Sequence, residues 1–373
     1  MSKLIVTRDD ESICGNSDDY NFIFNKQNGF FARWGETVDH DPCVAPSPEL
    51  CDIEISSIVP ANTTPSEDML LTKGGCNGRG CREFCYKDNG KGQLMGHMSL
   101  SLFHKIAARL PETVCQIAFG ICGAHSHPEM LKIFRACRED YDIVPNVTVN
   151  GQGIDDDMAE RLAQVCGAVA VSVNPHNTLE SYPAIQRLGK HLDQVNVHFV
   201  MHADSYEFAH ELLDDVERYG LPVRAVVFLA YKHKNRSCTC RGVRDVAKYQ
   251  SIIAHAERLG IGIGFDSCSS DMYMACIEDH PHRERLAQYV EPCESSLFSA
   301  YINFKGEFYP CSFTEGENGW EEGIRVTDYR SFDDVWNHPL TEGFRRELLW
   351  KCRSCPLFEV GPESRNKSDP LNE

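Results

Sequence analysis

The sequence contains no run of about 18 apolar residues, so no membrane span is expected. It also lacks an excess of positive charge: 37 Lys and Arg stand against 55 Asp and Glu, a formal charge of −18. Nucleic-acid binders present a basic stripe, so a duplex-binding surface is not expected either. The balance suits a small or cationic substrate held in a local pocket. The first residues, MSKLIVTRDDESICGNSDDY, turn acidic after Thr7 and have no apolar h-region, so they do not read as a secretory signal. No Gly-x-Gly-x-x-Gly turn occurs, which weighs against a Rossmann domain.

What the chain has in quantity is cysteine, 18 in 373 residues. In a secreted protein that number would imply disulfides. Here the chain reads as cytoplasmic and several cysteines fall into tight groups, so metal ligation is the first reading. Most of those outside the groups read as small buried hydrophobes.

Residues 1–50 carry Gly, Pro and Asp punctuation and read as a leader with one hairpin around Tyr20–Trp34. From Asp52 short β-branched runs alternate with amphipathic helical stretches. The expected strands are Asp52–Val59, Val114–Phe119, Asn146–Val149, Ala168–Val173, Val195–Val200, Val223–Leu229 and Ile261–Phe265. Stripes such as Leu102, Ile106, Leu110 (before Pro111), Met158, Leu162, Val165 and Phe208, Leu212, Val216, Tyr219 mark helices between them. Repeated strand–helix alternation predicts an α/β fold with a parallel sheet, here a partial (β/α)6 TIM-like barrel over 51–284. In such barrels chemistry sits at the C-terminal ends of the strands. Phe298–Phe304 and Glu307–Phe313 flank a Lys305-Gly306 turn, and a helical stretch spans Phe332–Trp350. This predicts a small C-terminal β-hairpin plus helix domain over 285–358. The polar residues 359–373 read as a flexible tail.

The first tight group is CNGRGCREFC, with Cys76, Cys81 and Cys85 spaced C-x4-C-x3-C in a Gly-rich loop after the first barrel strand. Three thiolates leave one iron of a 4Fe–4S cluster open to a small molecule, whereas electron-transfer clusters usually have every iron ligated by protein. A zinc knuckle is the alternative, with His97 or His104 as a fourth ligand. The second group is Cys293-x12-Gly306-x4-Cys311 followed by Cys352-x2-Cys355. Its four thiolates fit a cluster or a zinc ion equally well by spacing.

A cysteine triplet after the first strand of a (β/α) barrel, with Phe84 before the last cysteine and Tyr86 after it, resembles the radical S-adenosylmethionine (SAM) superfamily. The usual spacing there is C-x3-C-x2-C, and each gap is one residue longer here. Phe119–Pro128, FGICGAHSHP, is similar to the Gly-rich turn after the second strand that binds the methionyl amino group of SAM. Gly120 is retained and Gly123 replaces the usual Glu. Pro145–Gly153 and Val169–Asn174 resemble the third and fourth strands. The resemblance implies that Ser172 approaches the ribose or carboxylate of SAM and that Asn196, His198 and Lys232 face the pocket mouth. On residue pattern alone, Ser172 and Asn196 are equally readable as satisfied strand-end polar groups, and His198 as a core residue. CESSLFSAYINFKGEFYPC is similar to the auxiliary-cluster domains called SPASM or twitch. No cysteine follows Cys355, which implies a single auxiliary 4Fe–4S cluster on Cys293, Cys311, Cys352 and Cys355.

The resemblance therefore implies an enzyme that reductively cleaves SAM to a 5′-deoxyadenosyl radical and abstracts hydrogen from a substrate. Its partners would be SAM, an external low-potential donor of flavodoxin or ferredoxin type, and a peptide, protein or small-molecule substrate. Peptide or protein modification is the leading expectation. The alternatives are a radical SAM dehydrogenase or other modifier of a small molecule, and a non-catalytic zinc or iron–sulfur scaffold. Cys268 and Asp266, at a strand end, are weaker candidates for proton or hydrogen-atom transfer. Cys238 and Cys240 form a loose pair of unassigned role.

Overall fold

A computed structural model describes residues 3–57, 85–87, 96–234, 239–317 and 319–363. The first 50 residues do more than make one hairpin. They form a four-stranded antiparallel meander of β1 (Ile5–Arg8), β2 (Ser12–Asn16), β3 (Asn21–Asn25) and β4 (Phe31–Trp34). The expected hairpin corresponds to β3 and β4. The β1–β2 hairpin is set by Asp9, whose Oδ1 accepts the backbone N–H of Glu11 at 2.8 Å and Ser12 at 2.7 Å. One face of the meander buries Ile13, Phe22 and Phe24. Gly15 lies opposite Phe22, and a Cβ there would stand 2.1 Å from the ring.

A ten-stranded sheet carries the rest, and its first strand begins at Leu50. Seven strands are parallel and joined by helices: β5 (Leu50–Glu54), α1 (Leu100–Ala107), β6 (Gln116–Gly120), α2 (Met130–Tyr141), β7 (Val144–Val149), α3 (Asp156–Val165), β8 (Ala168–Ser172), α4 (Thr178–Leu188), β9 (Val195–Met201), α5 (Tyr206–Arg218), β10 (Ala225–Ala230), α6 (Val246–Leu259) and β11 (Ile263–Phe265). This is the expected partial (β/α)6 unit with an additional strand. Among the described residues it does not close: β11 ends one edge of the sheet.

Two short helices, α7 (Ser270–Cys276) and α8 (Arg283–Ala287), lead to β12 (Ser299–Ile302), β13 (Glu307–Tyr309) and β14 (Ile324–Arg325). The expected C-terminal hairpin is β12–β13, but it is no separate sheet. β12 pairs in parallel with β5, so β5 lies between β6 and β12. The expected single helix over Phe332–Trp350 is two: α9 (Phe332–Trp336) and α10 (Pro339–Trp350). Pro339 lacks an N–H and sits at the start of α10, where His338 caps it. Similarly, α1 ends at Ala107, before Leu110, and Tyr219 is exposed beyond the end of α5.

Two arginines are prominent among the contacts that bind the N-terminal sheet to the remainder. Arg8 donates to the carbonyls of Glu112 and Val114 at 2.7 and 2.8 Å, just ahead of β6. Arg33 pairs with buried Glu49 at 2.9 Å, lies 3.6 Å over the Phe298 ring, and meets Glu291 and Glu294. Removing one partner of a buried pair leaves the other charge uncompensated. Arg33→Met is expected to cost about 3–5 kcal/mol in denaturant unfolding, and Arg33→Met/Glu49→Leu to recover most of it. An unfolding midpoint unchanged in the single variant would contradict this reading.

Candidate functional site

Successive residues of a strand point to opposite faces of the sheet. From β5 to β10, one set is apolar and buried: Ile53, Ile117, Phe119, Val147, Val197 and Phe228. From β5 to β9 the other set is mostly small or polar and half-buried, including Asp52, Ala118, Thr148, Ser172, Asn196 and His198, and it turns apolar towards β10 with Val200, Val227 and Leu229. Parallel sheets covered on both faces are ordinarily apolar on both. This second face is instead built to meet something polar. It is also curved: Thr148 Oγ1 on β7 reaches His198 Nδ1 on β9 at 3.4 Å, across β8 and its small Ala170. Burial holds the His198 imidazole down at about 4, with Asp266 opposing, and pushes the Asp52 carboxyl up to about 6.

At the C-terminal end of β5 the chain places the end of the first cysteine group. Cys76, Cys81 and Phe84 lie outside the described residues, as does Cys238. Cys85 is described, and Tyr86 beside it packs on Phe313 with ring centroids 4.7 Å apart. Lys87 is held by Glu54 at 3.0 Å, by Glu315 at 2.9 Å and by the Tyr301 hydroxyl at 2.7 Å. Burial opposes the Lys87 charge, but these neighbours more than offset it and raise its pKa well above the ordinary lysine value. None of Glu54, Lys87, Tyr301 and Glu315 stood out in the sequence. The available signal was Lys87, a lysine two residues after the last cysteine of the first group.

The turn after β6 has the close approaches its glycines require. A Cβ at Gly120 would stand 3.3 Å from Glu54 Cα, and one at Gly123 would stand 3.0 Å from Asn150 Oδ1. Gly123 N–H donates to Ser126 Oγ at 2.9 Å, and His127 Nε2 meets the Met98 carbonyl at 2.7 Å. Gly120 thus keeps backbone against Glu54 at the end of β5, and Gly123 keeps it against Asn150 and Gln152 beyond β7. Ser172 ends β8, and its carbonyl accepts from Asn177 Nδ2 at 2.8 Å. Asn196 and His198 both lie on the polar face of β9.

Lys232 is buried just past β10. It pairs with Asp266 at 2.8 Å and lies 4.6 Å over the Phe313 ring. Asp266 also accepts from Ala230 N–H at 3.1 Å and from the Ser269 hydroxyl at 2.5 Å. Burial pushes the Cys268 thiol well up; Lys232 pulls it back, while Asp266, Cys293 and Cys355 push it further. Cys293 and Cys311 are raised first by burial, and each is raised again by the charge of Cys355. Cys268 therefore joins Cys293, Cys311 and Cys355 in one thiol-rich neighbourhood, a grouping the sequence did not reveal. Cys352 is exposed, in a left-handed turn (φ 50°), and its neighbour Arg353 donates to the carbonyls of Cys293 and Pro292 at 3.2 and 2.9 Å. That tether brings the C-x2-C segment against the first cysteine of the set. Thiols grouped this way, in a site that also holds a lysine, suit a soft metal or cluster.

Residues 293–356 match the SPASM family, described as an iron–sulfur cluster-binding domain. The fold of the chain is similar to that of SuiB from Streptococcus suis bound to precursor peptide SuiA (TM-score 0.67, 13% identity, 91% of this chain and 90% of that one). SuiB bound to S-adenosylmethionine gives a TM-score of 0.66 at 14% identity, over 95% of this chain and 94% of that one. anSMEcpe with bound AdoMet and Cp18Cys peptide gives 0.57 at 12% identity, over 84% and 88%. No curated protein matches the chain. At such identities the likeness establishes the fold, and the family match establishes the C-terminal domain. Residues 293–356 match the SPASM iron–sulfur cluster-binding domain, set on an α/β fold that this chain shares with SuiB and anSMEcpe.

Proposed function

We propose that this chain is a radical SAM enzyme that modifies a peptide or protein. The observation that carries the reading is the small and polar face of an otherwise apolar parallel sheet, with Cys85 and a SPASM domain at its C-terminal edge. Cys76, Cys81 and Cys85 would hold the SAM-binding 4Fe–4S cluster, and Cys293, Cys311, Cys352 and Cys355 the auxiliary one. Bound there, cluster and SAM supply one-electron chemistry that ends in hydrogen abstraction from the substrate. A flavodoxin- or ferredoxin-type protein would deliver the electron. The peptide preference draws support from SuiB and anSMEcpe, which share the fold and were crystallised with peptides.

The chain's own residues have separable tasks. The Glu54–Lys87–Glu315 bridge holds the segment after Cys85 against both the barrel and the auxiliary domain, which orients that thiolate. Gly120 keeps backbone close to the end of β5 and Gly123 close to Asn150 beyond β7, so that a bound methionyl group would meet carbonyls rather than side chains. Gly123 stands where relatives of this type carry Glu, which leaves Phe84, Ser172, Asn196 and His198 as the remaining SAM contacts in this reading. His198 is neutral at pH 7 and offers one donor and one acceptor at the cavity wall. The apolar helix-facing residues behind it exclude water. Lys232, paired with Asp266 and lying over the Phe313 ring that packs on Tyr86, would stand between the two cysteine sets.

Anaerobic reconstitution is expected to give a brown protein with about eight irons per chain, which forms 5′-deoxyadenosine on adding dithionite and SAM. A fully loaded protein that forms none would sink the proposal; a colourless one that binds zinc would favour a scaffold. Cys81→Ala is expected to abolish cleavage, and Cys352→Ala to retain part of the substrate-uncoupled cleavage. Complete loss in a folded Cys352→Ala protein would overturn this division between the two cysteine sets. A separate expectation concerns pH. The folded-state pKa of His198, about 4, lies below the ordinary 6.5, so the unfolded chain takes up its proton first on acidification. Stability associated with the neutral ring is full above about pH 6.5 and falls as pH drops towards 4. His198→Asn is expected to flatten the pH dependence of the urea midpoint in that window; an unchanged slope would show that His198 is not held neutral.

A further inference from the structure

A third group of ligand-type side chains lies apart from both cysteine sets. His202 follows the last residue of β9, and Asp204 lies in the single 3-10 turn, Ala203–Ser205, that comes next. Cys240 arrives from the segment after β10. One ligand atom of each lies within 4.8 Å of the other two. His202 and Cys240 are buried, and Asp204 is exposed.

The backbone makes this meeting specific. Ala203 N–H donates to the Arg241 carbonyl at 2.8 Å, and His202 bridges Gly242 in antiparallel fashion. The Ser205 hydroxyl bonds the Val200 and His202 carbonyls at 3.1 Å and receives the His202 N–H at 3.1 Å. These bonds fix both segments, and the His202 side chain adds a cap to the 3-10 turn by accepting from the Ser205 backbone N–H. Cys240 packs against Tyr231 and Val200, which close the site from the barrel side. The exposed carboxylate of Asp204 leaves it open to solvent on the other.

An imidazole, a thiolate and a carboxylate are the ligand types of a zinc site, and the thiolate disfavours calcium or magnesium. Tetrahedral zinc with bonds of about 2.0–2.3 Å needs donor atoms roughly 3.3–3.8 Å apart, so the observed group would contract by at most about 1.5 Å. Three protein ligands leave a fourth position for water or a substrate donor. The site is at the C-terminal ends of β9 and β10, the side of a parallel barrel where chemistry is carried out. It would also brace the segment that carries Lys232 and Lys234. Lys232 reaches Asp266, and Lys234 donates to the Glu315 carbonyl at 2.7 Å.

We propose that His202, Asp204 and Cys240 bind a zinc-class divalent cation with one coordination position open. This does not depend on the radical SAM reading, and its test reads separately. Protein whose cluster cysteines have first been loaded with iron would be incubated with zinc, desalted and analysed for both metals. Wild type is expected to hold about one zinc per chain, with His202→Ala and Cys240→Ala about tenfold lower at unchanged iron. Cobalt in place of zinc should give thiolate-to-cobalt charge-transfer absorption that Cys240→Ser removes. Should the buried variants fail to fold, Asp204→Asn at the exposed ligand is expected to weaken zinc affinity about tenfold. Wild type without zinc, or zinc retained undiminished in the folded variants, would overturn the site. Loss of 5′-deoxyadenosine formation with zinc intact would count against the radical SAM reading alone.

Discussion

The pairing of β5 on both of its edges is the constraint from which the arrangement of the protein follows. β6 lies along one side and β12, some 250 residues later, along the other, both parallel to it. Its last residue, Glu54, therefore ends up buried, where an isolated carboxylate would be very costly. Lys87 and the Tyr301 hydroxyl satisfy it, and Lys87 is shared with Glu315 from the SPASM domain. One buried carboxylate thus ties three things together: the barrel, the segment that follows the first cysteine group, and the auxiliary domain. The lysine's charge is retained because two carboxylates face it, which more than offsets its desolvation.

The sheet has a division of labour between its faces. The helix-facing side uses β-branched and aromatic residues, and the densest part of the core is there, around Phe119, Phe134, Phe199 and Phe228. The opposite side trades packing for polarity. Asp52, Thr148, Asn196 and His198 lie on it at a cost in desolvation, visible in the raised Asp52 carboxyl and the depressed His198 imidazole. A sheet that holds such groups on this face has given up apolar packing there, and the SPASM domain lies at its β5 edge. Towards the other edge, Lys232 and Asp266 join the ends of β10 and β11 to Phe313. The same domain therefore meets the sheet at both of these places.

Much of the fold was legible because the signals were local. Strands such as Ala168–Ser172 and Val195–Met201 and helices such as Val246–Leu259 with Gly260 at its cap follow from apolar periodicity and capping chemistry over short windows. The N-terminal meander was only half legible. β1 and β2 are four and five residues long and show a buried face only when β3 supplies Phe22 and Phe24. The split between α9 and α10 was available at Pro339, where a missing N–H interrupts an otherwise helical pattern.

By itself, the sequence determined the two cysteine groups, their spacing, the strand–helix alternation and the hairpin that carries Cys293 and Cys311, since each depends on residues close along the chain. The tertiary structure alone decided that β12 joins β5, that Lys87 answers Glu54 and Glu315, and that Lys232 pairs with Asp266. It alone brought Cys268 to the auxiliary cysteines, and His202 and Asp204 to Cys240. The physical reason is common to all of these. Buried charges and ligand atoms take partners from whatever segment the packed sheet brings within a few ångströms, and sequence spacing carries no record of that proximity.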